Sequence, residues 1–312
     1  FGQERIRKII QNLNDAKLDY VEIGFLRDID YDPDRSLFSK VEQSNDLLES
    51  LENDTNISLM VRPDWIDLKK LPQAAQVNSI RFAFYERDLQ LVLKQAKIAA
   101  GAGYKVFVNP INILSYTPKS LESLLIKIND LDPMGVSVVD TFGALMPQDL
   151  KNIVPIFENT LKPSIKLGVH LHENLSLSFA LAMIFIDEVS ANRDIIIDSS
   201  ILGMGRAPGN LPTELITPLL NQHHSKKIDM QSILECAENE IQPIKKSFKW
   251  GYSAEYAVSA ALKVHRSYAE YLFDEVGCTL SQMENIMKKI YQMGEHNTFN
   301  QNLADQIKGE IL

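Results

Sequence analysis

Short runs of apolar and β-branched residues alternate, over the first two thirds of the chain, with longer segments whose apolar positions recur every three or four residues. The short runs have the length and composition of strands, and the longer segments have the periodicity of helices. Near-continuous apolar runs are typical of strands covered on both faces, as in a parallel sheet. Seven strands are predicted in this way, over residues 20–25, 57–62, 79–84, 105–110, 135–142, 165–172 and 195–200.

The segments between these strands predict helices, and residues 87–101 are the clearest example because a glycine ends them. Regular alternation of strand and helix indicates an α/β protein with parallel strands and helical crossovers. An open doubly wound sheet and a closed TIM (β/α)8-type barrel both satisfy it, and the strand count favours the barrel, which needs eight. A helix is predicted over 3–18, so the strand missing from this count is the first. That strand lies either upstream of Phe1 or nowhere in the protein.

The pattern changes after about residue 222, beyond which no strand is predicted. Helical periodicity runs through 228–312, with clear stretches over 230–246, 253–274 and 281–292. We therefore predict two domains, a TIM-barrel domain over 1–222 and a C-terminal all-helical domain over 223–312.

Composition and charge narrow the classes of function. Hydrophobic residues make up 45% of the chain and charged residues 23%, as in ordinary soluble globular proteins. The formal net charge of -9 disfavours nucleic-acid or membrane-surface binding, because both need a basic face. Cys236 and Cys278 have no metal-type spacing, which predicts a reducing, cytoplasmic location. No apolar run approaches the length of a membrane span.

The strongest local signal of chemistry is His170-Leu171-His172. On a strand, residues two apart project from the same face, so both imidazoles are predicted to lie at the C-terminal end of the seventh barrel strand. Barrel active sites lie at this end, and two neutral imidazoles on one face are half of a divalent-metal site. A pair of packed or partly exposed histidines is the alternative that the residues alone leave open.

A glycine-rich loop, Gly203–Asn210, follows the last predicted strand. Glycine backbone allows a ligand to approach closely, which makes Gly203 and Gly205 candidates for substrate binding. Two interpretations exist for Asn210, and both can hold together. Its side chain can be the N-cap of a helix that begins at Leu211, and it can be an oxygen ligand for a metal beside the two histidines.

Other polar side chains lie on or just beyond the predicted strands. Asp140 and Thr141 end the sixth-strand run, where a carboxylate and a hydroxyl either orient a substrate or hold a strand-ending turn. Glu22 and Arg81 have apolar neighbours, so they are expected to pair, unless Arg81 meets a substrate carboxylate. Asn109 ends another strand. For Glu22, Arg81 and Asn109 a structural hydrogen-bonding role is favoured over direct chemistry.

In this order along the chain, the motifs resemble those of the DRE-TIM metallolyase superfamily, which includes 3-hydroxy-3-methylglutaryl-CoA lyases and 4-hydroxy-2-oxovalerate aldolases. The segments that carry the resemblance are YVEIGF, IRFAF, VVDTFG, LGVHLHENLSLSFA and DSSILGMGRAPGN followed by TE. The helical tail with GYSAEY is more similar to the aldolases. The lyases have a cysteine in the glycine-rich loop, and this chain has none there, which argues against a CoA-thioester lyase.

The resemblance implies that His170 and His172 bind the metal, with Asn210 as a further ligand, and that Tyr256 corresponds to a catalytic tyrosine of the aldolases. It implies Mn²⁺ or Mg²⁺ as the cofactor. The implied reaction is a metal-dependent (retro-)aldol reaction of a 4-hydroxy-2-oxo acid through a metal-bound pyruvate enolate. The full predicted set is Tyr256, Asp140 and Arg81 as catalytic residues, Thr141, Asn109, Gly203 and Gly205 as substrate-binding residues, and His170, His172 and Asn210 as metal ligands.

Two features depart from the family pattern. The Arg-Asp motif that the family has on its first strand does not precede the strand predicted over 20–25, and Glu173 stands where the family often has asparagine. The first departure leaves open a catalytically silent barrel subunit. The shared histidine pair leaves open a Claisen-type acyltransferase that condenses an acyl-CoA with a 2-oxo acid. Because the aldolases' helical tail contacts an aldehyde dehydrogenase, such a dehydrogenase or a second copy in a homodimer is the predicted partner, besides the small 2-oxo acid substrate.

Overall fold

The computed structural model describes residues 1–49, 51, 55–224 and 226–311 of the chain. The strands are β1 Tyr20–Leu26, β2 Leu37–Phe38, β3 Asn56–Val61, β4 Val77–Phe84, β5 Lys105–Pro110, β6 Gly135–Val139, β7 Lys166–His170 and β8 Ile195–Ile197. The helices are α1 Gln3–Asp15, α2 Asn45–Leu48, α3 Leu89–Gly101, α4 Pro118–Asn129, α5 Pro147–Thr160, α6 Ser178–Glu188, α7 Thr213–His223, α8 Met230–Cys236, α9 Gln242–Ser247, α10 Ala254–Ala261, α11 Ser267–Ala269, α12 Leu280–Gln292 and α13 Gln301–Ile311.

The strands form one parallel sheet in the order β2-β1-β3-β4-β5-β6-β7-β8, with helices around it. Apart from β2, the strands follow chain order from β1 to β8 as in a TIM-type barrel, so the predicted fold class is confirmed, and all seven predicted strands are present. The last three strands end two or three residues earlier than predicted. Beyond β7 and β8, the chain pairs with the loop near Asn210 instead, through the bridges His172 to Asn210 and Ser200 to Pro212.

The strand that brings the total in the described sheet to eight is the two-residue β2, which the hydrophobic pattern does not predict. It lies on the edge of β1 that faces away from β3, where Phe25 pairs with Leu37 and Leu26 with Phe38. It therefore takes the position at which the sequence predicts a missing first strand. Within the described residues, the sheet ladders run from β2 to β8 and do not join these two ends.

Gly24 allows β2 to approach β1 closely. Its φ is +153°, and a Cβ at this position would overlap the carbonyl oxygen of Ser36 and lie 2.9 Å from the ring of Phe38. The neighbouring Phe25 N–H donates to the same Ser36 oxygen at 3.0 Å. A side chain at residue 24 would therefore push the chain before β2 away from β1.

The outward faces of the strands pack under the surrounding helices and form the main core. Phe82 on β4, Phe157 on α5 and Phe185 on α6 are fully buried there. Burial of a side chain of this size stabilises the fold by about 1.5–3 kcal/mol relative to exposure. The core therefore fixes the strands, and with them the side chains at their C-terminal ends.

The interior of the barrel changes character along the strand direction. Near the N-terminal ends, Tyr20 packs edge to face on Phe107, with ring centroids 5.0 Å apart. In the middle, Gly168 lies so close to the hydroxyl of Ser137 that a Cβ would overlap it. Further along, the interior side chains are polar: Arg81 within β4 contacts Glu22 within β1 and Asp198 just after β8, and His170 ends β7.

The region beyond residue 223 is helical where it is described, as predicted, but it is less continuous. Residues 253–274 do not form one stretch, because α10 ends at Ala261 and Lys263 adopts a left-handed φ of 54° before α11. Two short π-helical turns, Ala237–Ile241 and Glu270–Glu275, also interrupt the α-helices. In the described ranges, every helix is too short or too polar to cross a bilayer.

The helical region contains two hydrophobic clusters. In the first, Ile233 and Ile241 pack with Ala16 after α1 and with Ile201 after β8. The second lies among α10–α13 and includes Tyr268. Because the first cluster joins this region to the barrel, the domain boundary near residue 222 stays a prediction.

The close approach of β2 to β1 at Gly24 can be tested with two Gly-to-Ala substitutions, one at Gly24 and a control at Gly101. Gly24→Ala is expected to lower the free energy of unfolding by about 2 kcal/mol or more, because the methyl group meets the backbone of Ser36 and the φ is unfavourable. Gly101→Ala at the end of α3 has open space and an ordinary φ. It is expected to be neutral or stabilising by up to about 1 kcal/mol. Urea denaturation measures both, and equal stability of the two variants would contradict this account of β2.

Candidate metal centre

His170 is the last residue of β7, and His172 lies two residues further along the chain. Their ring centroids are 5.0 Å apart, and their planes meet at 78°. Alternation along an extended chain places the two side chains on one face, as the sequence predicts. The structure therefore brings the two predicted metal ligands together at the C-terminal end of the barrel.

Each imidazole is held through its Nδ1 atom. His170 Nδ1 lies 3.0 Å from Asp198 Oδ2, and His172 Nδ1 lies 2.6 Å from the backbone oxygen of Asp140. A carboxylate and a carbonyl can only accept, so each Nδ1 carries the proton and each Nε2 keeps a lone pair. Burial, followed by the nearby His170 and Arg266, lowers the pKa of His172 to about 3, so this ring is neutral. Metal-binding histidines are commonly oriented in this way.

Asn210 lies directly beside His172, with which it forms an antiparallel bridge. Its Nδ2 donates to the backbone oxygen of Met204 at 2.9 Å and to the Ser200 hydroxyl at 3.4 Å, which fixes the amide. The interpretation of Asn210 as a helix N-cap is wrong. Helix α7 begins at Thr213, and residue 210 is held in the bridge to His172 instead.

Gly203 and Gly205, which were predicted to bind substrate, pack against Asn210. A Cβ at Gly205 would lie 2.5 Å from Asn210 Nδ2, and one at Gly203 would lie 2.9 Å from the Asn210 backbone oxygen. The Asn210 N–H donates to the Gly203 oxygen at 3.0 Å. The packing of the loop itself thus requires both glycines, and their role in substrate binding stays a prediction.

Asp140 follows β6 directly and is 2% exposed. Its Oδ1 accepts from the backbone N–H groups of Ala144 at 2.8 Å and Leu145 at 3.2 Å, whereas its Oδ2 is buried without a partner in the described part of the chain. Burial raises the pKa of Asp140 to about 7, although these two N–H groups oppose the rise. Thr141 Oγ1 accepts from the backbone N–H of Asn112 at 2.5 Å. Asp140 therefore holds a turn with one oxygen and keeps the other unpaired.

Arg81 joins Glu22 and Asp198 inside the barrel. Its Nη1 donates to Asp198 Oδ2 and its Nη2 to Glu22 Oε1, each at 2.5 Å, so the expected pairing with Glu22 is present. Burial lowers the pKa of Arg81, but the two carboxylates outweigh burial and the net shift is upward. Burial raises the pKa of Asp198, and the cation of Arg81 together with His170 outweighs it, so that carboxyl stays ionised.

The remaining predicted residues do not contact the imidazoles. Asn109 on β5 is 3% exposed, and its Oδ1 has no partner among the described residues. Tyr256 packs against the cluster of the helical region, and burial together with acidic neighbours such as Glu270 raises its pKa to about 12. Glu173 accepts from the hydroxyl of Ser178, which ties it to the first residue of α6.

The structure adds three residues to this site that sequence reasoning missed. Asp198 comes directly after the apolar run of β8. A polar residue at the C-terminal end of a barrel strand is a candidate for the active site, so its position could have identified it. His265 lies edge to face on Phe142 with centroids 5.4 Å apart, and Arg266 is close enough to lower the pKa of His172. Both come from the helical region, and no local pattern marks them.

These side chains fit a divalent cation. Two imidazoles whose Nδ1 atoms are tied to acceptors, with an amide beside them, are the kinds of donor that first-row divalent ions accept. In the described residues, His, Cys, Asp and Glu side chains do not form a metal-type group of three or more, so Asp140 does not complete a set with the two histidines.

Comparison with known proteins identifies relatives of this chain. The family model described as HMGL-like matches residues 1–239. A 4-hydroxy-2-oxovalerate aldolase from Bacillus cereus (strain ATCC 10987 / NRS 248) is 23% identical over 274 residues, which cover 82% of this chain and 77% of the relative. An oxaloacetate decarboxylase from Mycobacterium tuberculosis (strain ATCC 25618 / H37Rv) is 21% identical, with coverage of 77% and 71%. The crystal structure of the N-terminal domain of a candidate aldolase from Bacteroides vulgatus has a TM-score of 0.75 at 23% identity, covering 88% of this chain and 92% of that one.

The bridge formed by Arg81 predicts a large loss of stability when its cation is removed. Arg81→Met is expected to lower the free energy of unfolding by about 2–4 kcal/mol, because two carboxylates lose their shared partner. Arg87→Met is the matched control, since Arg87 is 62% exposed and contacts only surface partners, Asp88 and the ring of Tyr85, among the described residues, and a change within about 1 kcal/mol is expected. Chemical denaturation of the two variants measures the difference. A cost for Arg81→Met no larger than that of the control would show that the bridge does not stabilise the barrel.

Proposed function

We propose that this chain, which belongs to the HMGL-like family, is a divalent-metal-dependent lyase. The reaction breaks or forms the C3–C4 bond of a 4-hydroxy-2-oxo acid. The observation that carries this proposal is the histidine pair at the barrel mouth. Both Nδ1 atoms are tied to acceptors, which leaves both Nε2 atoms available for a cation. The relative from Bacillus cereus, named as an aldolase for 4-hydroxy-2-oxovalerate, supports the same substrate class.

We propose Mn²⁺ or Mg²⁺ as the cation, with His170, His172 and Asn210 as the residues that hold it. When bound, it would supply Lewis-acid stabilisation of the negative charge that develops on the 2-oxo oxygen. Asp198 and the backbone oxygen of Asp140 fix the two rings, so these groups act by orientation. Arg81 contacts Asp198 and Glu22, and we propose that it acts through Asp198 as a positioning residue.

Cleavage requires a base to take the proton of the 4-hydroxyl group while the C3–C4 bond breaks. The electron pair of that bond passes toward the 2-oxo group, and C4 becomes the carbonyl carbon of an aldehyde. Asp140 is the base we propose, because its Oδ2 is unpaired and its backbone oxygen already contacts His172.

Completion of the reaction requires an acid to return a proton to C3 of the pyruvate product. Tyr256 is the acid we propose, since a phenol with a pKa of about 12 stays protonated at neutral pH. Thr141, Asn109 and the two loop glycines are proposed to line the substrate site. Asn109 also offers an unpaired, buried Oδ1.

Decarboxylation of a 2-oxo dicarboxylic acid is the second candidate, favoured by the similarity to the Mycobacterium tuberculosis oxaloacetate decarboxylase. It shares the feature that charge develops on the 2-oxo oxygen, and it differs in releasing CO₂ in place of an aldehyde. The Claisen-type acyltransferase and the silent subunit remain alternatives. The helical region as a docking site for an aldehyde dehydrogenase or a second copy also stays a prediction.

The activity is tested on the full chain with Mn²⁺, a 4-hydroxy-2-oxo acid and coupled detection of pyruvate. His172→Ala is expected to lower kcat/KM by at least about 100-fold, because one of two imidazole donors is lost. His224→Ala, at an exposed histidine outside the site, is the control and should leave the rate unchanged. Chelation should abolish turnover, and added Mn²⁺ should restore it.

Outcomes of the same assay separate the alternatives. Release of CO₂ from oxaloacetate without aldol cleavage would favour the decarboxylase, and acetyl-CoA consumption with thiol release would favour the acyltransferase. Pyruvate release that survives both chelation and His172→Ala would overturn the proposed metal-dependent reaction.

Because Asp198 orients His170, its substitution is expected to change the affinity for the metal, which can be measured without catalysis. Asp198→Asn is expected to weaken Mn²⁺ binding by roughly 10-fold to 100-fold, because the charged acceptor for Nδ1 is lost. Asp194→Asn is the control, because Asp194 is 76% exposed and pairs with Lys166 away from the imidazoles. Free Mn²⁺ is measured by its electron paramagnetic resonance signal during titration. Equal affinities for both variants would mean that the Asp198 contact does not tune the site.

A further inference from the structure

Arg266 is a poorly satisfied cation at the barrel mouth. Its side chain is 20% exposed, and its guanidinium makes no hydrogen bond within the described residues. The nearest carboxylate oxygen, Glu270 Oε1, lies 3.9 Å from Nε, which is too far for a hydrogen bond. The Nε of Arg266 is buried without a hydrogen-bond partner in the described part of the chain, and an unsatisfied buried donor is costly. The feature therefore points to an acceptor that the chain itself does not supply.

Glu270 cannot satisfy Arg266, because it is already engaged by Arg206. Arg206 donates to both carboxylate oxygens of Glu270, through Nε at 3.2 Å and Nη2 at 2.5 Å. Two further carboxylates lie nearby, because Asp274 is within electrostatic range of Glu270 and Glu255. Neither Asp274 nor Glu255 makes a hydrogen bond to Arg266 among the described residues. Burial, followed by the charge of Arg206, lowers the pKa of Arg266.

His265 adds a second donor next to Arg266. Its Nδ1 accepts from the backbone N–H of Ser267 at 3.2 Å, so the ring proton of the neutral imidazole lies on Nε2. Burial, and then the charges of Arg266 and Arg206, lower the pKa of His265 to about 4, which keeps the ring neutral. No hydrogen bond from this Nε2 occurs in the described part of the chain. The two side chains thus present unused donors side by side.

This donor pair lies next to the candidate metal centre. The ring of His265 packs edge to face on Phe142, two residues after Asp140. Arg266 is the next residue along the chain after His265. Asn112 Nδ2 also donates to Asn297 Oδ1 at 2.9 Å and ties the helical region to the same end of the barrel.

We propose that Arg266 and His265 bind a second carboxylate of the substrate, on the part of the molecule that leaves as the aldehyde. This inference rests on the proposed lyase function and specifies its substrate class as a 4-hydroxy-2-oxo dicarboxylic acid. A carboxylate accepts from a guanidinium and an imidazole N–H at once.

The same arrangement argues against the bound carboxylate being lost as CO₂. Decarboxylation requires that carboxylate to give up its negative charge, and a hydrogen-bonded guanidinium stabilises the charge in the ground state. Arg266 would therefore slow such a step. Aldol cleavage leaves the second carboxylate intact on the aldehyde, so binding by Arg266 is compatible with it.

The test compares 2-oxoglutarate with 2-oxovalerate, two five-carbon 2-oxo acids that differ in one terminal carboxylate. Calorimetric titration of the Mn²⁺-loaded full chain is expected to show 2-oxoglutarate binding roughly 10-fold to 100-fold more tightly. Arg266→Met should reduce this ratio to about 1 while 2-oxovalerate binds as before. Arg87→Met, at an exposed arginine, is the control and should keep the ratio.

Two further variants keep the test informative if Arg266→Met does not fold properly. Arg266→Lys keeps the charge and should retain part of the preference, because one ammonium replaces the planar fork. His265→Phe keeps the packing on Phe142 and removes the N–H donor, so it should lower the ratio by about 3-fold or more.

The outcomes distinguish this inference from the function on which it rests. Equal binding of the two ligands to the native chain, or an equal loss of both in Arg266→Met, would overturn the second-carboxylate site and leave the lyase proposal standing. Absence of binding of either 2-oxo acid to the Mn²⁺-loaded native chain would overturn both.

Discussion

The guanidinium of Arg81 is the interaction on which the rest of this structure depends. It reaches from β4 to Glu22 on β1, the neighbour of the edge strand β2, and to Asp198 after β8, which is the opposite edge of the described sheet. Asp198 in turn accepts from His170. One side chain therefore links the ends of the sheet to the orientation of an imidazole, and the geometry of the site follows from the closure of the barrel.

Much of the fold follows from local patterns, because each strand and helix of the barrel carries its own periodicity. The histidine pair was also predictable, since alternation on a strand fixes which side chains share a face. The two-residue β2 was not predictable, because its pairing depends on the absence of a side chain at Gly24, which a hydrophobic pattern does not report. Likewise, Asn210 failed as a helix cap because a long-range bridge to His172 holds it extended.

The donors contributed by the helical region, His265 and Arg266, could not be predicted from the sequence either, because their place near the site also depends on contacts between distant segments. His265 and Arg266 follow the left-handed turn at Lys263, and nothing in their neighbours' spacing indicates that this turn meets the barrel mouth. Asp198 was missed because an acidic residue after an apolar run usually marks a turn. In both cases the chemistry comes from packing between distant segments, and only the folded chain shows it.

The glycine-rich loop is held by the helical region at two points. Trp250 Nε1 donates to the backbone oxygen of Leu202 just before the loop, and Arg206 within it is bound to Glu270. Asn210 closes the same loop against His172. A substitution in the helical region that removes either contact would therefore loosen the loop that carries Asn210, although the substituted residue lies far along the chain from the histidines.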